Sequence, residues 1–447
     1  MTPLKQQFFR YALPSMLSQL LNSCFIIVDG FFIGRNLGDI GLAAINVAWP
    51  ITAFIQAVSL GLGLGGAVRL STALGRGDKE EAALARGNTL TALAAAGVAM
   101  SVGLWLACPV ILPLIGAKGE LYAPALEYSR MICALALGQT INTGALPLLR
   151  GCHKTMQAMS FTVVGLLSNI FMDWLFIQAF QWGLAGAAVA TGSAQILCAL
   201  LAVPTLLAAR ELPLRRADFA PRWRMIRGIV QYGISPFGLS ISTSVILLIT
   251  NLQALHWGGT RGVAVYAVLS YVLGAVIPLV SGVGDGVQPL LSYARGAGEW
   301  GQLALLRRWG LSLAVGMAVL CSVLTWVGRS QLPLVFGASP EATAEGAAAM
   351  WTLCIGYPFM AVVRFCSSYF CAVGEPVFSG ILAYGEPLGT QPLMLLVLPL
   401  FLGLTGVWVA WPAAVALTAV AALVLLAVQE SKEPPAAKNE NLAGQRP

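Results

Sequence analysis

The sequence is poor in charge and nearly lacks histidine. Lys, Arg, Asp and Glu make up 10% of its 447 residues, against about 25% in a soluble domain, which excludes a large solvent-exposed fold. The two histidines, His153 and His256, are expected at loop edges on opposite membrane faces, which argues against a shared His metal site. Nine cysteines are scattered without a C-x-x-C pair, so neither a zinc site nor a disulfide framework is indicated. No small-residue cleavage site precedes Arg35-Asn36, and no cleavable signal peptide is expected. No Ser–His pairing lies at membrane depth. Catalytic residues are therefore not assigned, and an enzyme is not expected.

What the chain has in abundance is apolar sequence. It is 57% hydrophobic, with mean hydropathy +0.78. A bilayer crossing takes roughly 20 apolar residues. Windows of that size give about twelve spans, near 13–34, 44–72, 88–112, 128–149, 157–181, 184–208, 228–254, 263–291, 306–328, 345–371, 378–402 and 405–428. With both termini in the cytoplasm, only Arg35, Lys118, Arg130, Arg261 and Arg329 face outside, and Arg364 falls within a span. The rest of the 26 Lys and Arg face the cytoplasm, which fits the positive-inside rule. The net charge of +7 then belongs to loops facing anionic lipid, and no nucleic-acid partner is expected. The organisation expected is an N-terminal lobe 1–208, a basic cytoplasmic linker 209–227, a C-terminal lobe 228–428 and a polar, Pro-containing tail 429–447. The linker carries Arg210, Arg215, Arg216, Arg222, Arg224 and Arg227 with Trp223, and is expected on the cytoplasmic membrane surface.

The two halves repeat at an offset of 221 residues. Tyr11 falls on Tyr232, Gly38 on Gly259, Gly61 and Gly65 on Gly282 and Gly286, Leu70-Ser71 on Leu291-Ser292, and Gly77 on Gly298. Each half holds six spans, so the repeat is parallel, its axis along the membrane normal. The fold class expected is an all-α membrane protein with two pseudo-symmetric six-helix lobes. The four-residue glycine spacing suits close helix packing. GLGLGG at 61–66 also fits G-x-G-x-x-G, but it follows no strand and lies inside a span, so a dinucleotide fold is rejected.

Acids at membrane depth carry the chemistry. An Asp at a helix centre costs about 2.5–3.5 kcal/mol on insertion scales. Asp29, Asp173, Asp285 and Glu386 fall inside spans, and Arg364 is the one base there. Asn22 lies two turns before Asp29, and Asn169 one turn before Asp173, each on its acid's helix face. Two acids with amides in one half can build an oxygen-rich pocket for a hard cation such as Na⁺. The same pocket could hold protons, since burial penalises the charged form. The plain alternative is that each acid brackets a local kink. Asp285 or Glu386 could form a structural ion pair with Arg364, or meet substrate. Asp29 has Thr250 at the repeat position, so the acid chemistry is one-sided.

Taken together, VDGFFIGRNLGDIGLAAINVAWPI, GLGLGGAVRLSTALGRGDKEEA, SNIFMDWLFI, WGLAGAAVATGSAQ, GVGDGVQPLLSYARGAGE and GLTGVWVAWP run across nearly the whole chain. On these pieces it resembles the multidrug and toxic compound extrusion (MATE) transporter family, prokaryotic branch. The resemblance implies a V-shaped pair of lobes around a central cavity. It also implies secondary active export of small amphipathic, often cationic compounds in antiport with H⁺ or Na⁺. The coupling site it implies is Asp29, Asn169, Asp173 and Thr191, where Na⁺ could bind, with Asn22 in support and Pro14 a candidate hinge. Asp285, Arg364 and Glu386 depart from the family pattern and are candidates for a substrate or charge network in the second lobe. Span 7 has no acid, so no second-lobe cation site is expected. Arg295 stands where the family usually has Asn. No cofactor is expected beyond the coupling ion. The partners expected are small molecules and membrane lipids, around a monomer in the bacterial plasma membrane. Two other readings stay open: a flippase for a lipid-linked saccharide or cell-wall precursor, against which the single buried base argues, and an intramembrane enzyme.

Overall fold

The computed structural model describes the backbone of residues 3–115, 117–208, 212–332 and 340–432. Side chains are described over the same ranges apart from 24–31, 34–39, 42–43, 244, 260, 264 and 340–343. Among the described residues every regular element is helical: α1 (Pro3–Gly75), α2 (Lys79–Leu114), α3 (Tyr122–Ala134), α4 (Ala136–Gly151), α5 (Thr155–Asp173), α6 (Gly183–Leu207), α7 (Trp223–Ala297), α8 (Trp300–Gly328), α9 (Pro340–Ala372), α10 (Pro376–Gly385), α11 (Gln391–Leu402) and α12 (Leu404–Ser431). A membrane explains this uniformity, because backbone groups in lipid must be satisfied within the segment. Ten helical segments among the described residues are long and apolar enough to cross a bilayer. The α3–α4 pair, bent by 56°, makes an eleventh and covers the expected span 128–149. The expected span 13–34 runs into side chains outside the described residues. The chain is a multi-pass membrane protein.

Several helices map onto the spans unevenly. Helix α7 holds two of them, meeting at Gly259 with φ 59°. Span 5 is α5 continued by a π-helical turn at Trp174–Ala179. Span 11 is α10 and α11 joined by a second π-turn at Glu386–Thr390. The repeat is visible in the backbone. Gly77 and Gly298 both have positive φ, and the next residue's N–H closes the same turn in each half, Asp78 to Ala73 O and Glu299 to Ala294 O, both 3.0 Å. The turn before α5 repeats before α10, with Lys154 N–H on Leu149 O and Glu375 N–H on Phe370 O. At the left-handed position of this second pair stand His153 (φ 60°) and Gly374 (φ 88°). Thus His153 serves a helix-terminating turn.

The chain forms two compact units, Leu17–Ser240 and Met1–Met16 with Ile241–Pro447. The expected lobe boundaries are 1–208 and 228–428; in this division the first part of α1 groups with the second half, and the first part of α7 with the first half. Glycine is the physical reason. In the unit Leu17–Ser240, a Cβ on Gly61 would lie 2.8 Å from the Gly233 carbonyl oxygen and 3.2 Å from Phe237 Cβ, and one on Gly65 would overlap the Ile229 carbonyl. In the other unit, a Cβ on Gly282 would lie 2.8 Å from Met16 Cα, and one on Gly286 2.7 Å from the Tyr11 carbonyl oxygen. The 221 offset turns Gly61 into Gly282 and Met16 into Phe237, so both units use one contact. The core of the unit containing α8 to α12 gathers Phe8, Tyr11, Tyr357, Tyr369 and Phe370. The other unit has two cores, around Ile33 to Ala188 and around Leu70 to Ile229.

The expected linker is pinned rather than loose. Asn88, fully buried in α2, donates through Nδ2 to Asp218 O (2.9 Å) and accepts at Oδ1 from Arg222 N–H (2.8 Å). The Thr91 hydroxyl donates to Phe219 O at 2.9 Å, and the buried Arg86 guanidinium donates to Leu212 O. Residues 209–211 and the tail beyond Lys432 lie outside the described residues.

Gly65→Val is expected to destabilise the protein by about 1–3 kcal/mol through overpacking against backbone. Gly103→Ala, where a Cβ meets nothing within 4 Å, should be neutral or slightly stabilising. Thermal melting of the detergent-purified proteins checks this, and equal losses for both would contradict the close-contact account.

Candidate functional site

The site in the first unit is built on α5 and α6, which pack along each other. Two contacts fix their register. The Cys198 thiol lies 3.2 Å from Phe161 O, and a Cβ on Gly186 would lie 3.0 Å from Phe176 O. Moving inward from those two contacts brings Thr191 level with Asn169. Asn169 and Asp173 are both fully buried, and they lie one turn apart on α5. Asp173 ends the regular helix, and the π-turn Trp174–Ala179 begins at the next residue. Such turns re-aim side chains and frequently mark functional sites.

The amide and hydroxyl at this depth are unusual. Among the described residues, neither side-chain N nor O of Asn169 has a hydrogen-bond partner, and the Thr191 hydroxyl has none. A buried polar group left without a partner costs about 1–3 kcal/mol. Two such groups beside a buried carboxylate offer hard oxygen donors of the type that suits Na⁺, or a protonated carboxyl as hydrogen-bond donor. These are the predicted residues Asn169, Asp173 and Thr191. The Asp29 side chain lies outside the described residues, although the backbone there is helical. Pro14 is buried, with helical backbone on both sides, two residues before α1 passes from one unit to the other.

Asn22 does not stand alone. It lines a cavity with Asn142, Thr162, Gly165, Gln195 and Cys198. Asn142 Nδ2 donates to Gln195 Oε1, and Asn142 Oδ1 is buried without a partner. Gly165 lies one turn before Asn169, and Gln195 one turn after Thr191. The cavity therefore adjoins the buried niche along both helices. Sequence reasoning that looked for amides only on the helix faces of the acids passed over Asn142 and Gln195; a search for every amide at membrane depth would have found them.

The second unit is arranged differently. Glu386 opens the π-turn Glu386–Thr390 and is buried. Arg364 is the charge that acts on it, and the Trp411 indole is close to it. Arg364 is also buried, with its Nε lacking a partner. Asp285 is only half-buried on α7, near Cys371. Thus Glu386 and Arg364 are neighbours, and Asp285 stands toward Cys371. Gln391, fully buried next to the same π-turn, has no partner on either amide atom among the described residues.

A family model described as MatE matches residues 14–175 and 237–383. The chain belongs to the MatE family. The two matched ranges hold Asp29, Asn169, Asp173, Asp285 and Arg364. Thr191 and the linker lie in the stretch between them. Among curated relatives, the chain is 22% identical over 348 residues to the probable multidrug resistance protein NorM of Thermotoga maritima, covering 76% of this chain and 73% of that protein. It is 22% identical over 338 residues to the multidrug export protein MepA of Staphylococcus aureus, covering 74% of each. Among solved structures, it matches an outward-facing multidrug resistance MATE family transporter of the MOP superfamily with TM-score 0.91 at 24% identity, over 98% of this chain and 97% of that one. The MatE fold thus extends over essentially the whole chain.

Asn169→Ala is expected to change stability by less than about 1 kcal/mol, because its amide makes no hydrogen bond that the substitution would break. Asn88→Ala, which strands Asp218 O and Arg222 N–H, should cost about 2–4 kcal/mol. Melting of both variants checks the contrast. A larger loss for Asn169→Ala would make Asn169 a structural amide.

Proposed function

We propose that the protein is a secondary active transporter that exports small amphipathic compounds, cationic ones among them, in antiport with H⁺ or Na⁺ by alternating access. The observation that carries this reading is the niche at Asn169, Asp173 and Thr191. It is a fully buried carboxylate with neighbouring polar groups that have no hydrogen-bond partner among the described residues. A structural role would satisfy those groups, whereas a transient cation or proton leaves them to be satisfied for only part of a cycle. The names of the relatives, a multidrug export protein and a probable multidrug resistance protein, support the substrate class. Transport rather than catalysis is the reading. The chain sits in the plasma membrane with both termini cytoplasmic.

In this mechanism a cation entering from outside neutralises Asp173, together with Asp29 from span 1. That removes the electrostatic cost of the buried charge and lets the surrounding helices repack. Affinity for the exported compound falls in that state, and the compound leaves outward. Cation release inside restores the starting state. One charge moving through 100 mV supplies about 2.3 kcal/mol, and a tenfold gradient about 1.4 kcal/mol. Together these shift a two-state equilibrium by roughly hundreds-fold, enough to drive a cycle.

Asp173→Asn and Asp29→Asn are each expected to abolish efflux of a fluorescent cationic dye from proteoliposomes under imposed H⁺ or Na⁺ gradients, with normal insertion. Undiminished gradient-driven efflux in either variant would overturn the coupling role. Arg364→Ala is expected to change which dyes are exported, or how much protein folds, while leaving the number of cations per dye unchanged. An altered stoichiometry in that variant would move Arg364 into the coupling machinery.

A further inference from the structure

The basic stretch before α7 presents charge in a way that the transport reading does not use. Arg215, Arg216, Arg222, Arg224 and Arg227 are all exposed. Among the described residues, none of these five guanidinium groups takes part in an ion pair or a side-chain hydrogen bond. The one acid between Leu212 and Arg227 is Asp218. It is turned inward at 6% exposure and accepts from the Arg215 backbone N–H at 2.7 Å. Of the nearby acids at the start of α2, Glu81 is held by Arg69 at 2.9 Å and by Arg76 at 3.7 Å. Glu80 is exposed beside Lys79. Among the described residues, the outer face of the segment is thus cationic and uncompensated.

The segment is also held in place. Asn88 clamps both ends of the turn, through Asp218 O and Arg222 N–H, and Thr91 holds Phe219 O between them. A flexible basic loop needs no buried asparagine to hold its backbone; a fixed array of guanidinium groups does. Trp223, 75% exposed, stands between Arg222 and Arg224. It is the first residue of an apolar segment, Trp223–Gly259, that is long enough to span a bilayer. An exposed Trp at the mouth of a span is the residue that seats at the headgroup level. Arginines on either side then lie at the depth of lipid phosphates, which a planar guanidinium grips with two parallel hydrogen bonds.

We propose that this clamped segment is a binding surface for anionic phospholipid headgroups in the leaflet on its side of the membrane. A soluble phosphate compound would find the same charge, but it would have no use for Trp223 or for the placement at the start of a span. Each arginine near an anionic surface is expected to contribute roughly a fivefold factor in binding. The proposal is independent of which compounds the protein moves.

The test is lipid retention by the full-length protein in mild detergent, read by native mass spectrometry with phosphatidylglycerol and phosphatidylcholine of identical chains. The protein is expected to retain phosphatidylglycerol over phosphatidylcholine by about tenfold or more. The fivefold variant R215Q/R216Q/R222Q/R224Q/R227Q should bring that ratio to within about twofold of unity, with its melting temperature unchanged. Asn88→Ala, which removes no charge, should give an intermediate ratio in the fraction that stays folded. Equal retention of the two lipids by the unaltered protein would overturn the proposal, as would an undiminished preference in the five-Gln variant. Loss of the bound phosphatidylglycerol to millimolar inorganic phosphate would assign the surface to soluble anions and overturn it as well.

Discussion

The close backbone contact at matched glycines is the constraint on which the rest of the fold depends. In one unit Gly61 and Gly65 let a helix reach the Gly233 and Ile229 carbonyls; in the other Gly282 and Gly286 do the same at Met16 and Tyr11. Any side chain at these positions would meet main chain, which cannot turn aside. Without a hydrophobic driving force between helices in lipid, packing of this kind supplies the association. It also sets the trace of the chain. The first part of α1 and the first part of α7 each end up in the unit that carries the opposite half's other spans.

That exchange explains what was and was not legible in the sequence. The spans could be read from apolar windows, and the repeat from Tyr11/Tyr232 and the paired glycines, because hydropathy and small residues are local properties. The exchange itself could not be read. The same glycines are equally compatible with contacts inside a half, and which carbonyl they meet depends on the whole trace. The π-turns at Trp174–Ala179 and Glu386–Thr390 carry no compositional mark. Polar linker residues looked like a surface segment; their fixing by Asn88, 130 residues away from Asp218 in sequence, is a long-range property. In the candidate site Asp173 and Asn169 stood out because charge and amide at membrane depth are costly. Thr191 needed the family resemblance, because a Thr in a membrane helix ordinarily satisfies itself on its own backbone. Thr89 and Thr140 do so here, and Thr191 does not.

Comparison of the two halves explains why the chemistry is one-sided. The turns before α5 and before α10 match residue for residue at the 221 offset. Carried into the helices, that offset places Asn169 on Thr390 and Asp173 on Met394. The Thr390 hydroxyl is paired with that of Thr418 at 3.0 Å, and Met394 is apolar packing. The second half thus has a paired hydroxyl and an apolar side chain where the first half has a buried amide and a buried carboxylate. The same offset sets Gly165, which lines the cavity, on Glu386. Where the first half has open space, the second has a buried carboxylate beside Arg364 and Trp411.

This complementary arrangement separates two roles that one symmetric site could not hold together. A site that exchanges its ion must be able to lose it, so its ligands cannot be saturated by the fold. In the proposed antiport, Asn169 and Thr191 are the groups that meet that condition. A charge that only shapes its surroundings is best kept compensated at every stage, and Glu386 has a permanent cation and an indole donor within reach. A neighbouring guanidinium that favours the charged carboxylate makes occupancy by an external cation less favourable than at an acid without one. Duplication supplied both sets of positions, and the three pairs 165/386, 169/390 and 173/394 are where the two halves differ. A transporter that moves one compound against another needs only one such exchangeable element, provided the surrounding helices have two packings between which its occupancy can choose.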